Sequence, residues 1–512
     1  MNLENALDEI AKFLDSKNEW LLIHLSGKTF ALERSEIELT LKHNKIIIGF
    51  LDEKGFQLWR VTDYKIENEK ITLDLIRNFE KEREKVRLVP RISAGELSET
   101  VELARLEKAN RIARLLIEEN RGAKLVRVAL NEKTGRFAQI IFEDSNGKQI
   151  AALADVSDVV TPENFLATAI LRLARLENRK KKSTNEIWIL IEKKRARNLQ
   201  KLHALLGENW KQKIKLWEIF RKSAKLQSVE EAVLKQLEKL EIKDLWREKP
   251  REISLTESFE ISQTAQEISK LAPEKIDIIF SKHGETLRFL GLPFARVRKS
   301  FSEEKTWFGI ERNRQILNEK SREDFFDLLE NLELYRRFDA PNRRHALFRL
   351  APEAWLEAVL RRNIKLLDAN LILSPIYNQF RASNDKIDLL ALRRDGRLVI
   401  IELKVSPDRE MVFQAADYWR KIELQRRKGN LQTAKVFGDL EIADAPTLCY
   451  LVAPTLSFHY DFEFLSKTVS PEIEIYRFDL NENWREDLKV MKREKIQPRI
   501  TRISQIRIDF NS

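Results

Sequence analysis

The chain has 512 residues, which at about 150 residues per domain is enough for roughly three domains. Hydrophobic residues make up 43% and charged residues 34%, which excludes a mostly disordered chain, and a single cysteine excludes a disulfide scaffold and a cysteine-based zinc site. Lys and Arg number 92 against 81 Asp and Glu, and this formal net charge of +11 favours a polyanionic partner.

In chain order, the hydrophobic pattern changes from short alternating runs to helical periodicity near residue 98 and returns to mixed patterns further on. We therefore expect an α/β protein of the α+β multidomain class. Its predicted segments are a β-rich barrel or sandwich domain (1–92), an α/β domain (98–220), a helical spacer with a small mixed α/β domain (222–350), an α-β-β-β-α-β domain (352–480) and a C-terminal tail (481–512).

Segments 98–220 and 352–480 have the same predicted order of elements. Placing the hairpin residue Gly147 on Gly396 aligns two helix starts that each consist of a hydroxyl residue and a proline, Thr161-Pro162 and Ser406-Pro407. An internal duplication and a chance likeness of two α/β units both explain this order.

The residues most suggestive of chemistry lie on a predicted hairpin with the loop Arg394-Asp395-Gly396. If this is a three-residue loop with glycine in the left-handed conformation, counting outward along the strands places Asp388 opposite Glu402, with Cβ atoms about 5 Å apart. Lys404 follows Glu402 by two residues and so lies on the same face. Two carboxylates and an ammonium are therefore predicted to converge among apolar residues.

Two close carboxylates are costly unless a cation lies between them. Mg²⁺ suits this arrangement, since it binds one or two carboxylates and keeps water ligands for a substrate phosphate, and Mn²⁺ is the alternative ion. The competing interpretation is a buried structural ion network, although ionisable groups are rarely buried among Leu, Ile and Val without a function.

The arrangement Asp388, then Glu402-x-Lys404 after a hairpin, resembles the signature of the PD-(D/E)XK nuclease superfamily. Gln414 to Tyr418 resembles the Gln-x-x-x-Tyr helix motif of its RecB-like and NucS-like branches, and Glu357 lies in a stretch similar to the first helix of NucS-type endonucleases. Position 387, where the superfamily's name has proline, is isoleucine. The resemblance covers residues 352–455, about a fifth of the chain.

This resemblance implies a restriction-endonuclease-like domain in which Asp388 and Glu402 bind metal and Lys404 is the catalytic base or an electrostatic partner. It further implies that Gln414 and Tyr418 belong to the catalytic set and that Glu357 completes the metal site. Helix packing is the alternative role for Gln414 and Tyr418, and solvent exposure is the alternative for Glu357.

We therefore expect a Mg²⁺-dependent DNA endonuclease that hydrolyses phosphodiester bonds in DNA repair or defence. The alternative is a non-catalytic nucleic-acid-binding protein that uses the nuclease-like fold as a scaffold. The first 13 residues lack the apolar run of a signal peptide, and the longest apolar runs fall far short of the ~20 residues of a membrane helix, so we expect a cytoplasmic protein without a membrane partner.

If the duplication is real, Gln139 takes the place of Asp388, Leu153 that of Glu402 and Asp155 that of Lys404. A leucine cannot bind metal, so this first copy is expected to be inactive. Its remaining roles are nucleic-acid binding and the formation of a homodimer.

The C-terminal tail contains Gln505, Ile508 and Phe510 in a pattern that resembles the peptide by which bacterial repair proteins bind the sliding clamp. A terminal peptide can insert apolar side chains into a groove. The alternative is an amphipathic edge strand, because Ile506, Ile508 and Phe510 alternate with a period of two.

Overall fold

The computed structural model describes residues 3–24, 29–52, 55–67, 69–77, 82–91, 94–132, 134–178, 184–223, 230–250, 261–281, 284–300, 303–310, 313–374 and 388–496. Within these residues it confirms a multidomain α+β protein with four sheets. The chain divides into two compact units, one of Met1–Gln200 and Gln212–Glu238 and the other of Lys201–Lys211 and Lys239–Ser512.

The first unit opens with a helix and an antiparallel sheet. The elements are α1 (Leu3–Leu14), β1 (Glu19–His24), β2 (Thr29–Glu33), β3 (Glu38–Lys42), β4 (Lys45–Asp52), β5 (Gly55–Glu67), β6 (Lys70–Arg77) and β7 (Glu82–Pro90). The sheet order is β2-β1-β7-β6-β5-β4-β3, and α1 packs on a core that includes Trp20, Ile48 and Leu73. Hydrophobic alternation does not predict β7, because the first four residues of this strand are charged.

An α/β region completes the first unit and extends past its boundary. The elements are α2 (Ala94–Glu119), β8 (Lys124–Leu130), β9 (Phe137–Glu143), β10 (Gln149–Asp155), α3 (Pro162–Glu177), β11 (Ile187–Glu192), α4 (Lys193–Ala204), α5 (Glu208–Lys213), β12 (Ile214–Ser223) and β13 (Glu230–Gln236). The sheet order is β13-β12-β11-β10-β9-β8, with β10, β11 and β12 parallel and the other neighbours antiparallel. Strand β13 lies where a helical spacer is expected, because it pairs with the outer edge of β12.

The second unit contains a small domain, residues 261–350, that we call the mixed domain. Helix α6 (Ile242–Leu245) precedes it, and its elements are α7 (Gln263–Leu271), β14 (Ile276–Ser281), β15 (Gly284–Phe289), β16 (Leu292–Ser300), β17 (Glu303–Ile310), β18 (Asn313–Ile316), α8 (Arg322–Tyr335) and α9 (Ala346–Arg349). The strands form an antiparallel meander in chain order, and Phe289, Phe294 and Phe325 lie in its core.

The C-terminal domain, residues 352–496, is built around a second six-stranded sheet. Its elements are α10 (Pro352–Arg362), β19 (Leu371–Leu373), β20 (Leu389–Arg393), β21 (Leu398–Leu403), α11 (Met411–Arg427), α12 (Asn430–Thr433), β22 (Leu448–Pro454), α13 (Phe462–Ser466), β23 (Glu474–Leu480) and β24 (Val490–Ile496). Strand β24 lies in the segment 481–512, for which the sequence predicts a tail. A strand forms there because it pairs antiparallel with β23.

The two six-stranded sheets have the same topology. The strand order β19 to β24 repeats that of β8 to β13. In each sheet the second strand pairs antiparallel with the third, the third pairs parallel with the fourth, and the fourth pairs parallel with the fifth. The duplication itself stays a prediction. Among the helices of the described residues, none combines the length and the apolar composition needed to span a bilayer.

Arg336 joins the mixed domain to the C-terminal domain. Its side chain is fully buried, and its guanidinium donates hydrogen bonds of 2.8 to 3.2 Å to the carbonyls of Phe289, Leu290, Leu347, Leu350 and Ala351. It also lies 4.8 Å from the ring centroid of Trp355 on α10. Burial lowers the pKa of Arg336 to about 9, so the group is still a cation at neutral pH.

Gly291 marks how closely these two domains approach. Its φ is +84°, and a Cβ placed there would lie 2.0 Å from the carbonyl oxygen of Ala354 in the first turns of α10. Only glycine tolerates both the left-handed backbone and this distance. The turn between β15 and β16 is therefore fitted to α10.

Replacing Arg336 with methionine should lower the free energy of unfolding by at least about 3 kcal/mol, because several buried carbonyls lose their donor at once. Urea denaturation followed by tryptophan fluorescence measures this change. The control is Arg344→Met, since Arg344 is exposed. Equal urea midpoints for the two variants would show that Arg336 does not stabilise the junction.

Candidate active site

The hairpin between β20 and β21 has the register that the sequence predicts. Leu389 pairs with Ile401 and Leu392 with Leu398, and the backbone N–H of Arg393 donates to the carbonyl of Arg397. Gly396 has a φ of +79°, as the three-residue loop requires. Continuing this register by one pair places Asp388 opposite Glu402.

Asp388 and Glu402 are electrostatically close. The Oδ2 atom of Asp388 accepts a 2.8 Å hydrogen bond from the backbone N–H of Leu403, the residue after Glu402. Glu402 is 4% exposed, and burial together with the negative charge of Asp388 raises its pKa well above the ordinary value. Within the described part of the chain, the Oε2 atom of Glu402 has no hydrogen-bond partner.

Lys404 lies between two carboxylates. Its Nζ atom is 3.1 Å from Oε1 of Glu402 and 3.3 Å from Oδ2 of Asp408. Burial disfavours its charged form, yet Glu402, Asp408 and Asp388 together raise the pKa of Lys404 above its ordinary value. The backbone N–H of Lys404 donates to the carbonyl of Val452, which fixes the residue at the end of β22.

The donor set suits a hard divalent cation better than a transition metal. Among the residues that the structure describes, no group of three or more His, Cys, Asp or Glu side chains is placed to hold a metal ion. The site instead offers the carboxylates of Asp388 and Glu402, and a buried oxygen of Glu402 lacks a hydrogen-bond partner within the part of the chain that the structure describes. Two carboxylates are enough for Mg²⁺, which keeps several waters and binds substrate phosphates.

Glu357 faces the mixed domain. It is buried on α10, and its Oε1 atom lies 3.7 Å from Nη1 of Arg288 on β15, with both side chains about 4% exposed. A second arginine–carboxylate ion pair, which is partly exposed, joins Arg362 on α10 to Asp277 on β14 at 3.2 Å. The assignment of Glu357 as a metal ligand stays a prediction, and the structure shows its arginine partner.

Gln414 and Tyr418 lie on one face of α11, which packs against β21 and β22. The Oε1 atom of Gln414 is buried and accepts no hydrogen bond within the described residues. Tyr418 is half-buried, with the Nζ atom of Lys421 5.6 Å from its ring centroid. Their assignment to the catalytic set stays a prediction.

Helix α11 begins at Met411, later than the Ser406-Pro407 start that the sequence suggests. The reason is that Asp408 has two other contacts, since its Oδ1 atom accepts from the N–H of Glu410 and its Oδ2 atom pairs with Lys404. Beside the sheet of β8 to β13, the expected helix start at Thr161-Pro162 is confirmed, because Thr161 caps α3 and accepts a hydrogen bond from the N–H of Asn164.

Two partners of the site were missed by the sequence interpretation. Asp408 could have been found, because it lies four residues after Lys404 and just beyond a Ser-Pro turn. Arg288 could not, because it lies in a different domain from Glu357 and no local pattern connects the two.

In the six-stranded sheet of β8 to β13, the positions that correspond to Asp388 and Glu402 do not carry two carboxylates. Leu153 is fully buried and pairs directly with Gln139, as Glu402 would with Asp388. Asp155 accepts a 2.5 Å hydrogen bond from Nη1 of Arg195 and others from the turn at Ser157. Gln139, Leu153 and Asp155 thus do not offer the two carboxylates that Asp388 and Glu402 offer.

One further sequence prediction falls outside the described residues. Gln505, Ile508 and Phe510 of the clamp-binding pattern lie beyond residue 496.

Glu402→Gln should raise the melting temperature in the absence of divalent metal. A raised folded-state pKa means that the native protein holds a proton more tightly than the unfolded chain, so the charged carboxylate lowers stability increasingly as pH rises above its unfolded value. The gain from Glu402→Gln should therefore be larger at about pH 8 than at about pH 5. Calorimetry tests this against the exposed control Glu472→Gln, and a gain independent of pH would contradict it.

Breaking the buried pair of Arg288 and Glu357 should be costly from either side. Arg288→Met or Glu357→Leu alone should lower the free energy of unfolding by about 3–5 kcal/mol, since each leaves a buried polar group without its partner. The double variant Arg288→Met/Glu357→Leu should recover most of this loss. Urea denaturation measures the cycle, and the exposed residue Arg337 supplies the control variant Arg337→Met, which should change little.

No family model matches the chain, and no curated protein matches it. Among solved structures, the chain is similar to one described as the structure of EndoMS in apo form. The sequence identity is 13%, the match covers 36% of this chain and 84% of that chain, and the TM-score is 0.13. A TM-score this low supports no argument about activity, so function has to be judged from the site.

Proposed function

We propose that the protein is a Mg²⁺-dependent DNA endonuclease whose active site is formed by Asp388, Glu402 and Lys404. The observation that carries the proposal is the convergence of these three groups at the end of β21, with a buried oxygen of Glu402 that has no hydrogen-bond partner among the described residues. A purely structural ion network would satisfy such an atom.

Asp388 and Glu402 would hold the ion. When bound, Mg²⁺ would lower the pKa of a water ligand and neutralise charge on the phosphate. The chain itself fixes the donors, because the N–H of Leu403 holds Asp388 and the contact with Lys404 holds one oxygen of Glu402. Neither carboxylate then has to reorganise when the ion binds.

Lys404 is best placed to act as an electrostatic partner. Its ammonium contacts two carboxylates, Glu402 and Asp408, and one of these, Glu402, would hold the ion. A fixed cation at this position stabilises the negative charge that develops on the phosphate during hydrolysis. Asp408 is then the residue that keeps the ammonium in place.

DNA is the proposed substrate for two reasons. The chain carries a formal net charge of +11, which suits a polyanion, and the motif resembles that of a superfamily of DNA nucleases. Homodimer formation and clamp binding through Gln505, Ile508 and Phe510 remain separate predictions. A scaffold without catalysis is the outcome that would replace the proposal.

Asp388→Asn, Glu402→Gln and Lys404→Met should each reduce cleavage by at least about 100-fold, because each removes a preorganised charge at the reaction centre. The assay uses the full chain with single-stranded, branched, mismatched and duplex DNA in Mg²⁺, Mn²⁺ or EDTA. Anisotropy with labelled DNA should show that binding is retained, and Glu472→Gln is the control.

Cleavage that continues in EDTA would contradict the metal requirement. Metal-dependent cleavage at the wild-type rate by any of the three variants would remove that residue from the site. If the wild-type protein binds DNA and cleaves none of the four substrates, the scaffold interpretation is correct.

A further inference from the structure

The loop after β22, residues 455–461, is closely tied to the candidate site. Glu402 pairs with Leu451 and Leu403 with Val452 in the parallel register of β21 and β22, so the carboxyl ends of both strands meet at one edge. Ser457 Oγ on this loop donates a 3.0 Å hydrogen bond to the carbonyl of Val405, the residue after Lys404. The loop therefore borders the site.

Polar contacts hold this loop at both ends. Thr455 Oγ1 donates to the carbonyl of Leu480, and the N–H of Leu456 donates to Glu482. At the other end, Arg409 donates to Nε2 of His459 and to the hydroxyl of Tyr460, each at 3.1 Å. Arg409 directly follows Asp408, so the contacts continue from Lys404 through Asp408 and Arg409 to Tyr460.

Two apolar side chains of this fixed loop nevertheless face solvent. Leu456 is 78% exposed and Tyr460 is 70% exposed, the two highest values among the large hydrophobic residues that the structure describes. Single exposed apolar residues are common on protein surfaces. Two of them on one anchored loop that borders a predicted active site call for a binding role.

We propose that Leu456 and Tyr460 contact a nucleobase that is not stacked within a duplex, next to the phosphodiester that is cleaved. This inference rests on the proposed function and names the form of DNA that the site takes. It assigns Tyr460 as a stacking platform and Leu456 as an apolar wedge. Arg409 positions Tyr460 by donating to its hydroxyl, and Glu482 positions Leu456 by accepting from its backbone N–H.

The chemistry favours an unstacked base for a simple reason. Inside a duplex both faces of a base are covered by its neighbours, so an aromatic ring can stack only on a base that is unpaired or displaced. An apolar side chain inserted between base steps likewise requires unstacking. The guanidinium of Arg409, with its Cζ atom 6.0 Å from the ring centroid of Tyr460, supplies a cation beside the ring that can contact a DNA phosphate.

The test measures binding apart from cleavage. In the full-length Glu402→Gln background, binding of a single-stranded oligonucleotide and of its duplex, each carrying 2-aminopurine, is followed by fluorescence and anisotropy. Adding Tyr460→Ala should weaken single-strand binding by roughly 10-fold and reduce the quenching of 2-aminopurine, since stacking on one aromatic ring contributes on that order. Duplex binding should not change.

Further variants separate stacking from structure. Tyr460→Phe keeps the ring but not the hydroxyl that accepts from Arg409, and it should bind single strands more tightly than Tyr460→Ala. Leu456→Ser should weaken single-strand binding, and Met491→Ala, which removes another highly exposed apolar side chain on β24, should have no effect. Equal single-strand binding by Tyr460→Ala and its parent, or an equal loss on duplex, would overturn the inference.

The two proposals fail in different ways. If the wild-type enzyme cleaves DNA but Tyr460→Ala does not change the preference for unpaired nucleotides, the inference fails and the proposed function stands. If neither the wild-type protein nor the parent binds DNA of any form, both are overturned.

Discussion

The C-terminal domain depends on the burial of one carboxylate, Glu402, on a central strand between apolar neighbours. Burying a charge costs several kcal/mol unless it is compensated, and here Asp388 adds a second negative charge. Lys404 offsets part of this cost for one oxygen only. The geometry around it follows from the need to fix these groups: the backbone N–H of Leu403 holds Asp388, Asp408 holds Lys404, and α11 starts late so that Asp408 can do so.

The six-stranded sheet of β8 to β13 shows the same topology without two buried, neighbouring carboxylates. Where Glu402 would stand it has Leu153, which fills its space with apolar atoms, and where Lys404 would stand it has Asp155, neutralised by Arg195 and local N–H groups. The apolar version is the cheaper one to fold, since it does not bury two neighbouring carboxylates. The sheet of β19 to β24 therefore carries an electrostatic cost that the sheet of β8 to β13 does not.

Much of this domain could be predicted because the decisive signals are local. The hairpin register follows from one glycine in a three-residue loop, and the strand and helix order follows from hydrophobic periodicity. What could not be predicted depends on pairing over long distances. Strand β13 is charged and becomes a strand only by pairing with β12, and β24 does the same with β23. Arg288 reaches Glu357 from another domain, and the anchoring of Tyr460 by Arg409 joins two loops that are far apart in sequence.

The junction centred on Arg336 bears on how this chain can change through recombination. A nuclease domain whose first helix were merely connected to its predecessor could be exchanged between proteins as a module. Here α10 shares a buried ion pair with β15 and a partly exposed one with β14, and the turn at Gly291 fits against Ala354. A gene fragment starting at Pro352 would carry half of each of these contacts into a new host. Inheritance of the mixed domain and the C-terminal domain should thus be joint.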